Sequence, residues 1–113
     1  MFVCGEPQDY KLGVSPVTTL FLSKPCQLSD SNHQIVSVVA SFRHTFLITA
    51  QGLVLVLGYQ PYSGISVDGI SGNVIKEPQV ISSLRSFRVV ELSSRFNHHV
   101  CRTTCNRVFV WGM

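Results

Sequence analysis

Two stretches decide the fold of this 113-residue chain: Val54-Leu55-Val56-Leu57-Gly58 and Val108-Phe109-Val110-Trp111-Gly112. Each has four apolar residues followed by glycine, and Phe2-Val3-Cys4-Gly5 is a third copy. Successive side chains of a strand point to opposite faces, so four apolar residues in a row predict a strand that is covered on both faces. Glycine adopts the backbone angles of a sharp turn without steric cost, so each strand is predicted to end at its glycine.

The sequence around these stretches repeats as well. The closing glycines, Gly5, Gly58 and Gly112, are separated by 53 and 54 residues. At an offset of 54, the second and third segments superpose without a gap from strand through turn to strand. Residues 1–113 are therefore predicted to form one repeat region, with units at about 5–58 and 59–112. The matched residues include His44 with His98, Thr49 with Thr103, Gly52 with Asn106, and Phe42 with Phe96.

The repeat unit consists of short runs rich in Val, Ile, Phe and Thr, which are typical of strands. Turn-forming pairs, Gln51-Gly52 and Cys105-Asn106, separate consecutive runs, and the five prolines are predicted to lie between strands. A repeat of about 50 residues made of short strands indicates a β-propeller blade. The chain is therefore predicted to be all-β, with about two four-stranded antiparallel blades; the ring is incomplete because closed propellers have about four to eight blades. The predicted strands are Ile35–Ala40, Thr45–Thr49, Leu53–Leu57, Phe87–Leu92, His99–Thr103 and Arg107–Trp111.

The same residues resemble the repeats of the regulator of chromosome condensation (RCC) family. That pattern reads Gly-x-x-His-Ser/Thr, Leu-Thr, a turn glycine, Val-Tyr-x-Trp-Gly and Gly-Gln-Leu-Gly. Ser41-x-x-His44-Thr45 and Arg95-x-x-His98-His99 stand at the histidine motif, and Tyr10-Lys11-Leu12-Gly13 stands at the last motif. The chain departs from the pattern where Cys4 and Leu57 replace tryptophan. The resemblance implies an RCC-type propeller with these structural signature residues: Gly5, Leu12, Gly13, His44, Gly52, Gly58, His98, Trp111 and Gly112.

For the founding members, the resemblance implies guanine-nucleotide exchange on a Ran-type small GTPase. Exchange of that kind uses contacts from several blades around a closed ring, and two blades are too few. The leading hypothesis is therefore a non-catalytic protein–protein interaction module, part of a larger or assembled propeller. A guanine-nucleotide exchange factor, or a fragment of one, is the alternative, and a regulator associated with chromatin or nucleic acid is the second alternative. The segments predicted to carry binding are Glu6–Gly13, Asp30–Gln34 and Tyr59–Asn73.

Catalytic and cofactor chemistry have no candidate in the sequence. The glycines of the Tyr59–Asn73 segment lack the Lys-Ser/Thr of a phosphate loop, carboxylates are scattered, and no nucleophile elbow occurs. The metal-like run His98-His99-x-Cys101-x-x-x-Cys105 would place His98 and His99 on opposite faces of a strand. Cys101 also superposes on Leu47, which favours a buried small side chain over a zinc ligand. We predict no enzyme, no metal and no cofactor, and we interpret His44 and His98 as structural side chains that bond the preceding loop.

Composition limits the class of protein. The chain is 45% hydrophobic and only 13% charged, which excludes disorder and a solvated coiled coil. A low charge is expected of blades sandwiched between other blades, so we expect further blades or self-association of the isolated chain. Residues 85–113 carry five arginines against Glu91 alone. We interpret them as a solvated face, since no aromatic is regularly interleaved with them, and nucleic acid is not an expected partner.

The sequence also sets expectations about the compartment. The longest aliphatic run, Leu53–Leu57, is far short of the ~18 residues of a membrane span. Met1–Glu6 lacks the basic start of a secretory signal, and the four cysteines do not suggest a disulfide framework. We expect an intracellular protein, cytoplasmic or nuclear, with a protein partner such as a small GTPase and no membrane contact.

Overall fold

A computed structural model of the chain describes residues 2–5, 11, 22–27, 33–65 and 73–113. Within these ranges the fold is all-β, as predicted, with single turns of 3-10 helix at Gln60–Tyr62 and Ser82–Leu84. The signature residues Leu12 and Gly13 lie outside the described residues. The strands are β1 (Phe2–Gly5), β2 (Leu22–Gln27), β3 (Ile35–Ala40), β4 (His44–Thr49), β5 (Val54–Tyr59), β6 (Val74–Val80), β7 (Val89–Arg95), β8 (His98–Thr103) and β9 (Val108–Gly112).

These strands form three antiparallel sheets in which each strand pairs with the next one along the chain. The central sheet has four strands in the order β3-β4-β5-β6, flanked by the pair β1-β2 and the three-stranded sheet β7-β8-β9. β1, β5 and β9 carry the three apolar stretches that end in glycine. β1-β2 therefore corresponds to the last two strands of a blade, and β7-β9 to the first three. The described residues contain nine strands, divided 2, 4 and 3 among the sheets, and the four- and three-stranded sheets match the predicted antiparallel blades.

Local signals explain most of the strand boundaries. The predicted turns are present, with positive φ at Gly52 (84°) and Asn106 (63°), where glycine and asparagine are the least strained residues. Register irregularities lie between Ile35 and Ser37 in β3, and between Val89 and Glu91 in β7. These positions are 54 residues apart, so the backbone repeats in detail as well as in outline.

The prediction that prolines lie between strands is wrong for two of them. Pro25 is in β2 and Pro78 is in β6. Both strands lie at the edge of their sheets, so each pairs with a neighbouring strand on one side only. A proline, which has no N–H group, can be accommodated there without breaking the hydrogen bonds of a central strand. The polar composition of Val74–Val80 has the same origin, because an edge strand is only partly covered.

The core lies on both faces of the central sheet, and Phe46 and Val56 are on the face that packs against β7-β9. All six residues of β4 and five of the six in β5 are buried. On β7 and β8 only one face contributes, mainly through Val89, Leu92 and Cys101. A fully buried Leu, Ile, Val or Phe side chain contributes about 1.5–3 kcal/mol, so the burial of the central sheet is the main source of stability. The core residues are Phe46, Leu47, Ile48, Val54, Leu55, Val56, Leu57, Ile75, Ile81, Leu84, Val89, Leu92 and Cys101.

Candidate functional site

An aromatic cluster joins the two larger sheets and contains two of the signature residues, His44 and Trp111. The ring of Phe46 on β4 lies 4.7 Å from the His99 ring and 5.9 Å from the Trp111 ring, both in edge-on geometry. The ring of His44 lies 4.9 Å from that of His99. Aromatic pairs at such distances contribute about 0.5–1.5 kcal/mol beyond the area that they bury. We call these four residues, His44, Phe46, His99 and Trp111, the inter-blade joint.

His44 is a buried, neutral member of this joint. Its Nε2–H group donates a hydrogen bond to the Tyr59 carbonyl at 2.6 Å, and burial lowers its pKa to about 4. The predicted bond to the loop before β4 is therefore replaced by one to the end of β5. The register explains this difference, since His44 lies opposite Gly58 and so next to Tyr59.

His99, rather than the predicted His98, is the buried histidine of the second copy. His99 Nε2 donates to the Tyr62 carbonyl at 3.0 Å, and its Nδ1 accepts from the Ser94 hydroxyl at 2.6 Å. Burial, followed by the field of His44, lowers its pKa to about 4. His98 is exposed, because alternate residues of β8 face opposite ways and only one face contacts the central sheet.

The residue after the signature histidine makes the bond to the preceding blade in both copies. Thr45 is the repeat equivalent of His99, and its hydroxyl donates to the Lys11 carbonyl at 2.6 Å. Lys11 and Tyr62 both follow a strand that carries an apolar stretch ending in glycine, β1 and β5 respectively. In the family pattern, the Ser/Thr that follows the histidine indicates this hydrogen bond. The sequence analysis predicted that the histidine itself makes the bond.

Trp111 holds the loop that follows β5 against the neighbouring sheet. Its indole N–H donates to the Ser63 carbonyl at 3.2 Å, and a Cβ added to Gly64 would lie 2.8 Å from that nitrogen. Residues 59–65 of the predicted binding segment Tyr59–Asn73 thus pack at the inter-blade joint. Of the other two predicted segments, only Lys11, His33 and Gln34 are described.

Gly58 and Gly112 have the same conformation near the ends of β5 and β9, although β5 continues one residue further, to Tyr59. Their φ angles are 114° and 107°, and a Cβ on either would overlap a backbone carbonyl oxygen, that of Arg43 or of Asn97. This close approach lets Tyr59 N–H bond to the Arg43 carbonyl at 2.9 Å, and Met113 N–H to that of Asn97 at 2.8 Å. Gly5 ends β1, the third copy of this strand.

The metal-like run does not assemble as a site. Both ring nitrogens of His99 are engaged in hydrogen bonds, and His98 lies on the other face. Cys101 is buried, which raises the pKa of its thiol, whereas a hydrogen bond with the Thr103 hydroxyl lowers the pKa of the exposed Cys105 thiol. Among the described residues, no group of three or more His, Cys, Asp or Glu side chains converges.

The outer face of β7-β9 is open. Val110 is 75% exposed and Val108 is 63% exposed, whereas their repeat equivalents in β5, Val56 and Val54, are 0% and 1% exposed. We call this surface the open face of β7-β9 and define it by His98, Val100, Arg102, Val108 and Val110. It corresponds to the face of the central sheet that packs against β7-β9. No helix within the described ranges is long and apolar enough to cross a bilayer.

Comparison with known sequences finds similar proteins, although no protein-family profile matches this sequence. The chain is 31% identical over 113 residues to the secretion-regulating guanine nucleotide exchange factor of Bos taurus, covering 99% of the chain and 24% of that protein. It is 30% identical over 88 residues to the X-linked retinitis pigmentosa GTPase regulator homolog of Caenorhabditis elegans, covering 78% of the chain and 6% of that protein. The chain thus spans no more than about a quarter of these relatives.

Solved structures share the fold. Yeast RCC1 (Prp20), in its complex with Kap60, superposes with a TM-score of 0.86 at 18% identity, over 98% of this chain and 27% of that one. Human WBSCR16 superposes with a TM-score of 0.83 at 19% identity, over 98% of this chain and 28% of that one. The sequence relatives, the repeat and this fold agree, and the chain therefore belongs to the RCC repeat family of β-propellers.

Proposed function

We propose that the chain is a non-catalytic protein–protein interaction module of RCC-type repeats, which works as part of a larger or assembled propeller. The observation that supports this proposal is the exposure of Val110 at the position where Val56 is fully buried. Exposed contiguous apolar surface on a folded domain marks a contact with another protein surface. We expect this module in the cytoplasm or the nucleus, with a protein as its partner.

The proposed assembly follows the contact already present between the two larger sheets. At that contact, β7-β9 covers Phe46 and Val56 of the central sheet, and the ring of His99 packs against that of Phe46. The open face of β7-β9 has Val100 and Val110 at the matching positions. A further blade, or a second copy of this chain, would cover that face by the same geometry. The proposed function includes no chemical step.

Sedimentation velocity over a range of concentrations tests the proposal on the full chain. We expect the wild-type chain to self-associate and Val110→Glu to shift the distribution towards the monomer, since a charge on the open face disfavours its burial. Gln79→Glu, which adds the same charge to an exposed position of β6, is the control and should associate as the wild type does. A wild-type chain that stays monomeric at every concentration would contradict the proposed assembly.

Guanine-nucleotide exchange on a small GTPase is the second candidate. It is favoured by the 31% identity to a protein named as a guanine nucleotide exchange factor. A fluorescent-GDP release assay with a Ran-type GTPase tests it directly. Because the chain corresponds to about a quarter of that relative, we expect no acceleration by the chain alone. Faster release in proportion to chain concentration would instead favour exchange over the interaction module.

A further inference from the structure

Six side chains form a continuous surface at one end of the two larger sheets. The rings of Phe42 and Phe96 lie 5.9 Å apart at a tilt of 58°, although the two phenylalanines remain 54% and 58% exposed. They occupy the same repeat position, in the turns that lead from β3 to β4 and from β7 to β8. We call the surface the aromatic–cation strip, consisting of Phe42, Arg43, Tyr59, Tyr62, Arg95 and Phe96.

Arginine side chains alternate with the rings along this strip. The Arg43 guanidinium lies 5.7 Å from the centre of the Phe42 ring and 4.8 Å from that of Tyr59. The Arg95 guanidinium lies 6.0 Å from the centre of the Phe96 ring, and Tyr59 contacts Tyr62 with ring centres 5.6 Å apart. A guanidinium stacked on a ring keeps its N–H edge directed outward, where it can bind a carboxylate with two hydrogen bonds.

The strip has no carboxylate partner within the described part of the chain. Only two acidic residues are described, Glu77 and Glu91, and neither forms an ion pair with Arg43 or Arg95. Glu91 is paired with Arg102 at 3.2 Å instead. Positive charge beside exposed apolar rings therefore remains available to an acidic partner.

The backbone at Phe96 indicates that the ring is not retained for folding. Its φ is 51°, in the left-handed region that a bulky residue rarely adopts. Phe96 begins a two-residue turn between Arg95 and His98, where asparagine or glycine would be less strained. Strained residues of this kind occur preferentially at functional sites, which is consistent with a ring that contacts a partner.

We propose that the aromatic–cation strip binds an acidic segment of a protein partner. Carboxylates of that segment would bond to Arg43 and Arg95, and an apolar side chain between them would pack on Phe42 and Phe96. The proposal rests on the function proposed above, that of a protein interaction module. Single-stranded nucleic acid is the less favoured ligand, because the rings are tilted against each other and carry guanidinium groups over their faces, so they offer no parallel platform for bases.

Fluorescence anisotropy with a labelled peptide of alternating glutamate and leucine tests this proposal on the full chain. We expect Arg43→Gln, Arg95→Gln and Phe96→Asn each to weaken peptide binding by about tenfold, the size of a lost charge-assisted or ring contact. Arg107→Gln is the matched control. It removes the same charge from a similar pair, with the Arg107 guanidinium 5.7 Å from the Phe87 ring, but at the opposite end of β8 and β9. Binding by this variant should stay within about twofold of the wild type.

Three outcomes would overturn the proposal, and none of them depends on the proposed assembly. One is that Arg107→Gln weakens peptide binding as much as the strip variants do, which would show that binding depends only on net charge. Another is oligothymidylate binding that is at least as tight as peptide binding and is lost in the same strip variants. The third is a lower thermal midpoint for Phe96→Asn, since a turn asparagine should fold at least as well. The strip variants should keep the sedimentation behaviour of the wild type, so failure here leaves the proposed assembly standing.

Discussion

The central sheet and β7-β9 share one repeat but differ in how they are covered. β4 is buried at all six positions, whereas β8 alternates between exposed and buried residues. The open face has Val100 where the covered face has Phe46, and Arg102 where it has Ile48. Burial in this fold is therefore decided by the neighbouring sheet, and the strand sequence adapts to it only in part.

The largest effect on stability is expected when the same charge is placed on the covered face of the central sheet and, for comparison, on the open face of β7-β9. Val56→Glu should destabilise the chain by ~4 kcal/mol or more, because it buries an unpaired carboxylate. Val110→Glu, at the equivalent position, should change the free energy of unfolding by less than ~0.5 kcal/mol. Urea denaturation followed by far-ultraviolet circular dichroism measures both. Similar losses for the two variants would mean that the open face is covered in the isolated chain.

The pH dependence of stability should come from the buried histidines of the joint. His44 and His99 each have a pKa lowered from 6.5 to about 4, so the unfolded chain binds more protons between these values. Stability is therefore complete above pH 6.5 and is lost as the pH falls towards 4. The loss is about 3 kcal/mol per histidine at 1.36 kcal/mol per pKa unit. Urea midpoints measured in steps from pH 7.5 to 4 give this slope.

His99→Gln identifies the source of that slope. The variant should lose part of the pH dependence while keeping a hydrogen-bonding side chain towards Tyr62. An unchanged slope in His99→Gln would assign the pH dependence to other groups. Because the His44 and His99 rings are 4.9 Å apart, the losses of stability caused by protonating the two histidines should not simply add.

Trp111 tests how strongly the two sheets are held together. Trp111→Leu introduces the residue found at the equivalent position, Leu57, and removes both the ring contact with Phe46 and the bond to the Ser63 carbonyl. We expect a loss of ~2 kcal/mol and faster amide hydrogen exchange in residues 60–65. Leu57→Ile is the control at the covered position, where a volume-conserving change should cost less than ~1.5 kcal/mol. Unchanged exchange in Trp111→Leu would show that the loop is held by other contacts.

The sequence predicted the repeat, the strands other than β2 and β6, and the turns at Gly52 and Asn106, because these depend on local patterns. It did not predict β6, whose apolar residues are diluted by Lys76, Glu77 and Pro78 at a sheet edge. It also chose His98 over His99, since an offset of 54 matches residues but does not show which face of a strand meets a neighbour. The aromatic–cation strip was missed for a similar reason. Phe42 and Phe96 lie 54 residues apart in sequence and meet only when successive blades pack.

The smallest effect on folding, and the sharpest test of the comparison, is expected at Arg102. Its pair with Glu91 is exposed, and exposed ion pairs contribute about 0–1 kcal/mol, so Arg102→Ile should leave the free energy of unfolding within ~0.5 kcal/mol of the wild type. The variant does, however, give the open face the isoleucine that Ile48 supplies on the covered face. Self-association measured by sedimentation should therefore increase, whereas Arg102→Gln, which removes only the charge, should have a smaller effect. Equal association of the two variants would show that charge, rather than apolar match to a neighbouring blade, limits how this face is covered.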